Sequence, residues 1–262
     1  WRRIDICSAS QSMSVRQTLF DQLAILRMPA FREVLEQQFP SPDYDELPFE
    51  ERLALLIEHE CVRREHNQVQ RRIRQARFHQ TAWVQEIYFS SQRGLQRQQV
   101  LALAQATWIA KGLNLIILGP TGAGKTFIAS ALGRAACQHN LTVRYFRLSR
   151  FFQELKIAQI EGDYPRLIKS LSKTDLLIFD DWLRDTPSLA DTQTLLDILD
   201  DRYGRSATML ISQFPLDTWH ARFPDLTLAD AILDRLIHNA HRIVLKGDSQ
   251  RKLRGEQIIS ST

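Results

Sequence analysis

Residues Gly119-Pro-Thr-Gly-Ala-Gly-Lys-Thr126 meet the pattern G-x-x-x-x-G-K-[ST] at every fixed position. The apolar run Leu115-Ile-Ile-Leu118 leads into them, and the helix-forming stretch Phe127-Ile-Ala-Ser-Ala-Leu132 follows at once. A short strand, a glycine-rich turn and a new helix form the setting in which this pattern cradles phosphate. The glycines let the backbone turn tightly with its N–H groups inward. Those groups and the positive end of the helix hold phosphate oxygens. Gly119, Pro120, Thr121, Gly122, Ala123, Gly124, Lys125 and Thr126 are thus the expected nucleotide-binding residues. Lys125 is placed to reach the β- and γ-phosphates and the Thr126 hydroxyl to take Mg²⁺. The chain is expected to bind a nucleoside triphosphate.

The segments downstream fit such a module. Apolar stretches at 113–118, 142–148, 175–181, 207–213 and 242–247 alternate with helical ones, the pattern of a parallel sheet in an α/β fold. In the third, Leu176-Leu-Ile-Phe179 suits a strand buried on both faces, and Asp180-Asp181 emerge at its carboxyl end. Open α/β sheets bind ligands at that end. Asp180 fits the magnesium-associated acid, and Asp181 fits a catalytic base that orients the attacking water. The competing role for the pair is to cap the next turn. The fourth stretch ends Ile211-Ser-Gln213, which puts two polar side chains where a γ-phosphate could be sensed; Ser212 and Gln213 remain equal alternatives. Ser249 is expected to cap a last short helix that carries Arg251.

Before residue 111 the strongly basic side chains are all arginine. Residues 14–39 carry apolar groups at helical spacing broken by Pro29, so two helices or one kinked helix are expected. After a turn-rich spacer, Pro48 opens a helical pattern that runs to about Phe78. Its apolar side moves between Leu53, Leu56, Ile57 and Cys61 and the later Val69, Ile73 and Ala76. That move implies a bend or a change of packing partner near residues 60–66. Opposite the second stripe stand Arg63, Arg64, Arg71, Arg74 and Arg77. They form either a solvated face or a surface that tracks DNA phosphates, for which the planar arginine fork is suited. A net charge of +4 permits a nucleic-acid partner without requiring one. The three cysteines show neither metal nor disulfide spacing and read as reduced thiols of a cytoplasmic protein. No apolar run is long enough to span a membrane. The expected organisation is a loose leader at 1–13, a helical DNA- or partner-binding domain at 14–89, and a linker with a helix from about Gln96 to Lys111 at 90–112. The nucleotide-binding domain then occupies 113–254 and a tail 255–262.

Across roughly residues 25–254 the chain resembles the IstB family, AAA+ helper ATPases of insertion-sequence transposition related to DnaC-type helicase loaders. The resemblance is carried by Phe49-Glu-Glu-Arg-Leu-Ala-Leu-Leu56, Arg93-Gly-Leu95, the phosphate loop, Leu176–Trp182 and Asp201-Arg-Tyr-Gly-Arg205. It is also carried by Ser212-Gln-Phe-Pro215 with Trp219-His220, and by Leu228–Arg242. It implies an AAA+ P-loop fold with a five-stranded parallel sheet, a small all-helical N-terminal domain and little or no C-terminal lid. The stretch 142–148, between loop and acids, is then the added strand of that branch. It also implies ATP hydrolysis coupled to homo-oligomerisation in a ring or helix. By resemblance Arg235 is an arginine finger inserted into a neighbour's ATP site, and Arg251 senses nucleotide in its own subunit. The implied partners are duplex DNA and a transposase. A helicase loader and a hydrolysis-deficient nucleotide-dependent scaffold are the alternatives. The turn after Trp182, usually glycine and an apolar residue, is here Leu183-Arg184-Asp185.

Overall fold

In a computed structural model, which describes residues 5–90 and 93–247 (side chains from 15 onward), strands and helices follow one another as the apolar periods require. The chain forms two compact units that meet between Gln70 and Arg71.

The first unit holds α1 (Asp5–Ile25), α2 (Pro29–Gln38) and most of α3 (Phe49–Ala76). Helix α1 thus starts well inside the stretch expected to be a loose leader. Pro29 opens α2, after Arg27 has taken a left-handed φ of 54°. Leu23, Val34, Leu35 and Leu56 make a small core. Met28 gives α2 no side-chain cap. The buried carboxylate of Glu60 on α3 replaces it, accepting the N–H groups of Ala30 at 3.0 Å and Phe31 at 3.3 Å. Burial alone would raise that carboxyl, but Arg64 and the two N–H groups outweigh it and hold it below its ordinary value.

Helix α3 runs unbroken for 28 residues, and residues 61–68 are exposed all round. The shift of its apolar stripe is therefore a change of packing partner. Leu56 belongs to the first unit's core, whereas Ile73 and Ala76 join the core of the second. The two units thus divide earlier in the chain than the expected helical domain's end at residue 89. Ala76, Ala82, Ile87 and Leu95 are core residues of the nucleotide-binding unit.

That unit is built on β1 (Asn114–Leu118), β2 (Val143–Arg147), β3 (Leu176–Asp180), β4 (Ala207–Ser212) and β5 (Ala240–Val244). They form one parallel sheet in the order β2-β3-β4-β1-β5. Side chains alternate across it. Leu115, Ile117, Tyr145, Ile178 and Met209 face α4 (Arg97–Ala104), α5 (Thr107–Ala110) and α6 (Lys125–Gln138). Ile116, Phe146, Leu177, Phe179 and Leu210 face α7 (Leu148–Glu161), α8 (Tyr164–Ser172), α9 (Leu189–Arg202) and α10 (Leu226–Ile237). The helix expected across 96–111 is broken at Ala106, which takes φ 58° and lets Trp108 bury its ring and donate to the Leu103 carbonyl at 2.9 Å. Strand β5 begins two residues earlier than its apolar pattern implied, because pairing with β1 (Asn114 opposite Ala240) sets its start, and only Ile243 is buried.

Candidate functional site

The loop leaves β1 at Gly119, whose φ is 151° and where an added Cβ would come within 2.7 Å of the Leu245 carbonyl oxygen. Only glycine fits both conditions. Gly122 and Gly124 take φ of 84° and 92°, and α6 starts at Lys125 with its first-turn N–H groups pointing into the loop. The Lys125 ammonium donates to the carbonyls of Gly119 at 2.8 Å and Pro120 at 2.9 Å. Burial lowers its pKa, against the opposing pull of Asp180 and Asp181.

Asp180, at the end of β3, is almost wholly buried. Its Oδ2 accepts the Thr126 hydroxyl at 2.7 Å and the Tyr145 hydroxyl, while its Oδ1 accepts the Asp181 N–H at 2.8 Å. Burial, followed by the Asp180 charge, pushes the Tyr145 phenol far above its ordinary value, so it remains a donor. A hydroxyl beside a carboxylate is a hard oxygen pair that suits Mg²⁺, which keeps several waters and needs few protein ligands. Thr126 and Asp180 would hold it; among the described residues no group of three or more His, Cys, Asp or Glu gathers to hold a metal unaided.

Asp181 is partly exposed in the same chamber, lined also by Lys125, Thr126, Arg147, Arg184 and Gln213. Its carboxylate is 3.0 Å from Arg184 and 3.9 Å from Arg147. The two sensor alternatives separate here. Ser212 is buried and its hydroxyl is committed, donating to the Trp182 carbonyl at 3.0 Å and accepting the Phe214 N–H at 3.1 Å. Gln213 is exposed and accepts the hydroxyl of Thr121 in the loop at 2.8 Å.

On the other side of the loop lies a second cleft, lined by Gln80, Glu86, Ile87, Tyr88 and Arg93 with Gly122, Gly124 and residues 125–128. Arg93 ties this segment to the loop, donating to the carbonyls of Tyr88 and, at 2.7 Å, Ala123. Burial lowers its pKa. Neither Tyr145 nor Arg93 was singled out by its own chemistry. Their signals are a polar-tipped residue within an apolar strand and a lone arginine before a glycine.

Arg235 is elsewhere. Its own carbonyl accepts the side chain of Asn114, the first residue of β1, at 3.0 Å, whereas the phosphate loop follows the last residue of β1. Five residues at ~3.3 Å each put about 16 Å of strand between Asn114 and the loop. The guanidinium is held by Asp200 and by the Ala231 carbonyl at 2.7 Å. Asn114 also donates to Leu236 and Asn239 and accepts the Thr208 N–H. Next to it the fully buried Arg202 donates to the carbonyls of Leu171 and Thr174 at 2.6 Å and Ala207 at 2.7 Å, and burial lowers its pKa to about 10. Trp182 and Trp219 pack 5.8 Å apart in the core. The Asp201–Arg205 and Ser212–His220 stretches therefore owe much of their character to folding.

Along α3, Arg63, Arg71 and Arg74 are exposed and form no ion pair among the described residues. Arg64 is spent on Glu60 at 2.8 Å and the Arg27 carbonyl at 3.2 Å, and Arg77 lies 3.8 Å from Glu154. Arg251, Ser249 and any lid lie outside the described residues. Among those described, no helix is long and apolar enough to cross a membrane.

Comparison with known proteins agrees with this architecture. Residues 21–257 match the family described as IstB-like ATP binding protein. An insertion sequence ATP-binding protein of Sinorhizobium fredii, y4pL, is 38% identical over 232 residues, covering 88% of this chain and 95% of that protein. The insertion sequence IS1162 ATP-binding protein of Pseudomonas fluorescens is 35% identical over 207 residues, 79% of this chain and 89% of that one. Among solved structures, the DnaC helicase loader superposes with a TM-score of 0.53 at 17% identity, over 63% of this chain and 97% of that one. DnaI gives 0.55 at 19%, over 63% and 91%. At such identities the likeness is one of fold.

Proposed function

Because the chain belongs to the family of IstB-like ATP-binding proteins, we propose that it is an ATP-hydrolysing AAA+ regulator of DNA transposition. ATP-bound copies assemble on duplex DNA in the cytoplasm, recruit a transposase and are released by hydrolysis. The observation that carries this is separation: Arg235 and the phosphate loop stand at opposite ends of β1. An arginine there cannot serve its own nucleotide, but it can serve the next copy's. ATP then sits between subunits, and binding becomes an assembly signal.

Within one copy, the loop N–H groups and Lys125 take the phosphates, exchanging Lys125's present carbonyl partners for stronger charged ones. The cleft at Ile87 and Tyr88 offers a half-apolar seat for the nucleobase. Bound at Thr126 and Asp180, Mg²⁺ would draw charge from the β- and γ-phosphoryl oxygens. With Thr126 and Asp180 as the residues that would hold the ion, the Tyr145 hydroxyl keeps the Asp180 carboxylate oriented. Asp181 orients the attacking water, and Gln213, rather than the committed Ser212, reports the γ-phosphate to the loop. The transposition role rests on relatives at 38% and 35% identity that are insertion-sequence proteins; the helicase-loader alternative rests on a fold match at 17%.

Arg63, Arg71 and Arg74 are the α3 arginines left to meet DNA phosphates. Replacing Arg71 and Arg74 with glutamine should weaken DNA binding and flatten the log K against log[salt] slope by about 0.9 per lost contact. An unchanged slope removes this surface from the proposal. Lys125→Ala should abolish ATP-dependent assembly on DNA, measured by band shift with and without ATP. Equal assembly of the unmodified chain with and without ATP, or ATP-dependent assembly retained by Lys125→Ala, would refute ATP as the signal.

A further inference from the structure

The turn after Asp181 brings Arg184 and Asp185 beside the phosphate chamber, where Arg184 joins Asp180, Asp181, Lys125 and Arg147 in the lining. Asp181 and Leu183 both adopt left-handed φ, 54° and 53°, conformations that side chains other than glycine seldom take. Between them Trp182 is fully buried against Phe179 and Trp219, and its N–H donates to the Ile211 carbonyl at 2.8 Å. The Arg184 N–H donates to the Asp181 carbonyl at 3.0 Å, closing the turn. One guanidinium nitrogen then meets Asp181 Oδ2 at 3.0 Å and the other meets Asp185 Oδ2 at 3.0 Å. Arg147 faces the same Asp181 oxygen from β2 at 3.9 Å. A buried tryptophan and a closed turn anchor this pair, so it is not a chance meeting of two long surface side chains.

We propose that Arg184 is a positioning residue that occupies the Asp181 carboxylate and withholds it from the attacking water until a bound triphosphate draws the guanidinium away. The inference rests on Asp181 being the water-orienting acid. Asp181 Oδ2 accepts from Arg184 and faces Arg147, so the carboxylate is turned toward two cations that draw on its charge and weaken its hold on a water. Arg184 lines the same chamber as Lys125 and Thr126, so phosphate oxygens compete for its fork directly. Release costs little, because Asp185 already holds the second nitrogen and keeps a counter-charge beside the cation when Asp181 is let go. The half-exposed setting of both side chains keeps the contact weak enough to exchange.

Opposite signs are expected from two neighbouring substitutions. Arg184→Gln should raise kcat for ATP hydrolysis by roughly two- to fivefold with KM within about twofold of the unmodified chain. Asp185→Asn should lower kcat by a similar factor, because the guanidinium is left with Asp181 as its one carboxylate. Arg184→Lys, with a compact charge that cannot span both acids, should fall between Arg184→Gln and the unmodified chain. The measurement is steady-state hydrolysis by the full chain, with binding of a fluorescent ATP analogue and a thermal melt on each variant. A fall in kcat for Arg184→Gln, or no change in either variant, overturns the proposal; a rise in KM with unchanged kcat overturns it too and makes Arg184 a direct phosphate ligand. Asp181→Asn separates the two levels. If it abolishes hydrolysis while Arg184→Gln does nothing, only the positioning role fails. If it hydrolyses normally, the water-orienting assignment fails and the positioning role with it.

Discussion

At the carboxyl end of the sheet, Lys125, Thr126, Asp180, Asp181 and Gln213 are paired with one another, with neighbouring side chains or with loop carbonyls. At the amino end, Asn114 and Arg202 are paired chiefly with backbone carbonyls of α8, α10, β4 and the turn before β3. Side-chain partners can let go when a nucleotide offers better ones, whereas backbone carbonyls buried between elements cannot. The first end is therefore built for exchange and the second for holding the fold. Arg235 is the exception at the amino end, since its guanidinium is held largely by the side chain of Asp200 and is partly exposed.

Three substitutions sharpen that contrast, taken from the largest expected effect down. Arg235→Ala should lower kcat by ~10³-fold or more with the melting temperature of the single chain nearly unchanged. A large loss of stability would place Arg235 with Arg202 as a structural group. Arg202→Met removes the guanidinium donor from three buried carbonyls and should destabilise the nucleotide-binding unit by about 2–4 kcal/mol in a denaturant titration, while its folded fraction still binds an ATP analogue. Loss of binding with unchanged stability would contradict the division between the two ends. Tyr145→Phe should reduce kcat by roughly three- to tenfold and raise the Mg²⁺ concentration needed for half-maximal rate, since it removes a buried donor to Asp180. An unaltered Mg²⁺ dependence would make Tyr145 a packing residue.

The exchangeable end was legible in the sequence because its signals are local. A glycine pattern, a buried strand and two acids each lie within eight consecutive residues. The holding end was not, because it depends on contacts across the chain. Asn114 reads as one polar residue at the start of a strand, yet it meets residues 208, 235, 236 and 239. Ser212 and Gln213 are adjacent and alike on paper; burial of one and exposure of the other separate them. Ala106 sits in a strongly helix-forming run, and the packing of Trp108 overrides that local preference. The move of the apolar stripe along α3 was visible. That it marks the passage from one unit to the other was not, because the continuous helix leaves no break in the pattern.

In the proposed assembly one copy's loop is completed by another copy's Arg235. The most direct measurement mixes Lys125→Ala chains with Arg235→Ala chains, each inactive alone, and records ATP hydrolysis. Equal mixing in a head-to-tail assembly pairs an intact loop with an intact arginine at about a quarter of interfaces. Recovery of hydrolysis toward that fraction is predicted, and a mixture as inactive as its components would contradict the claim.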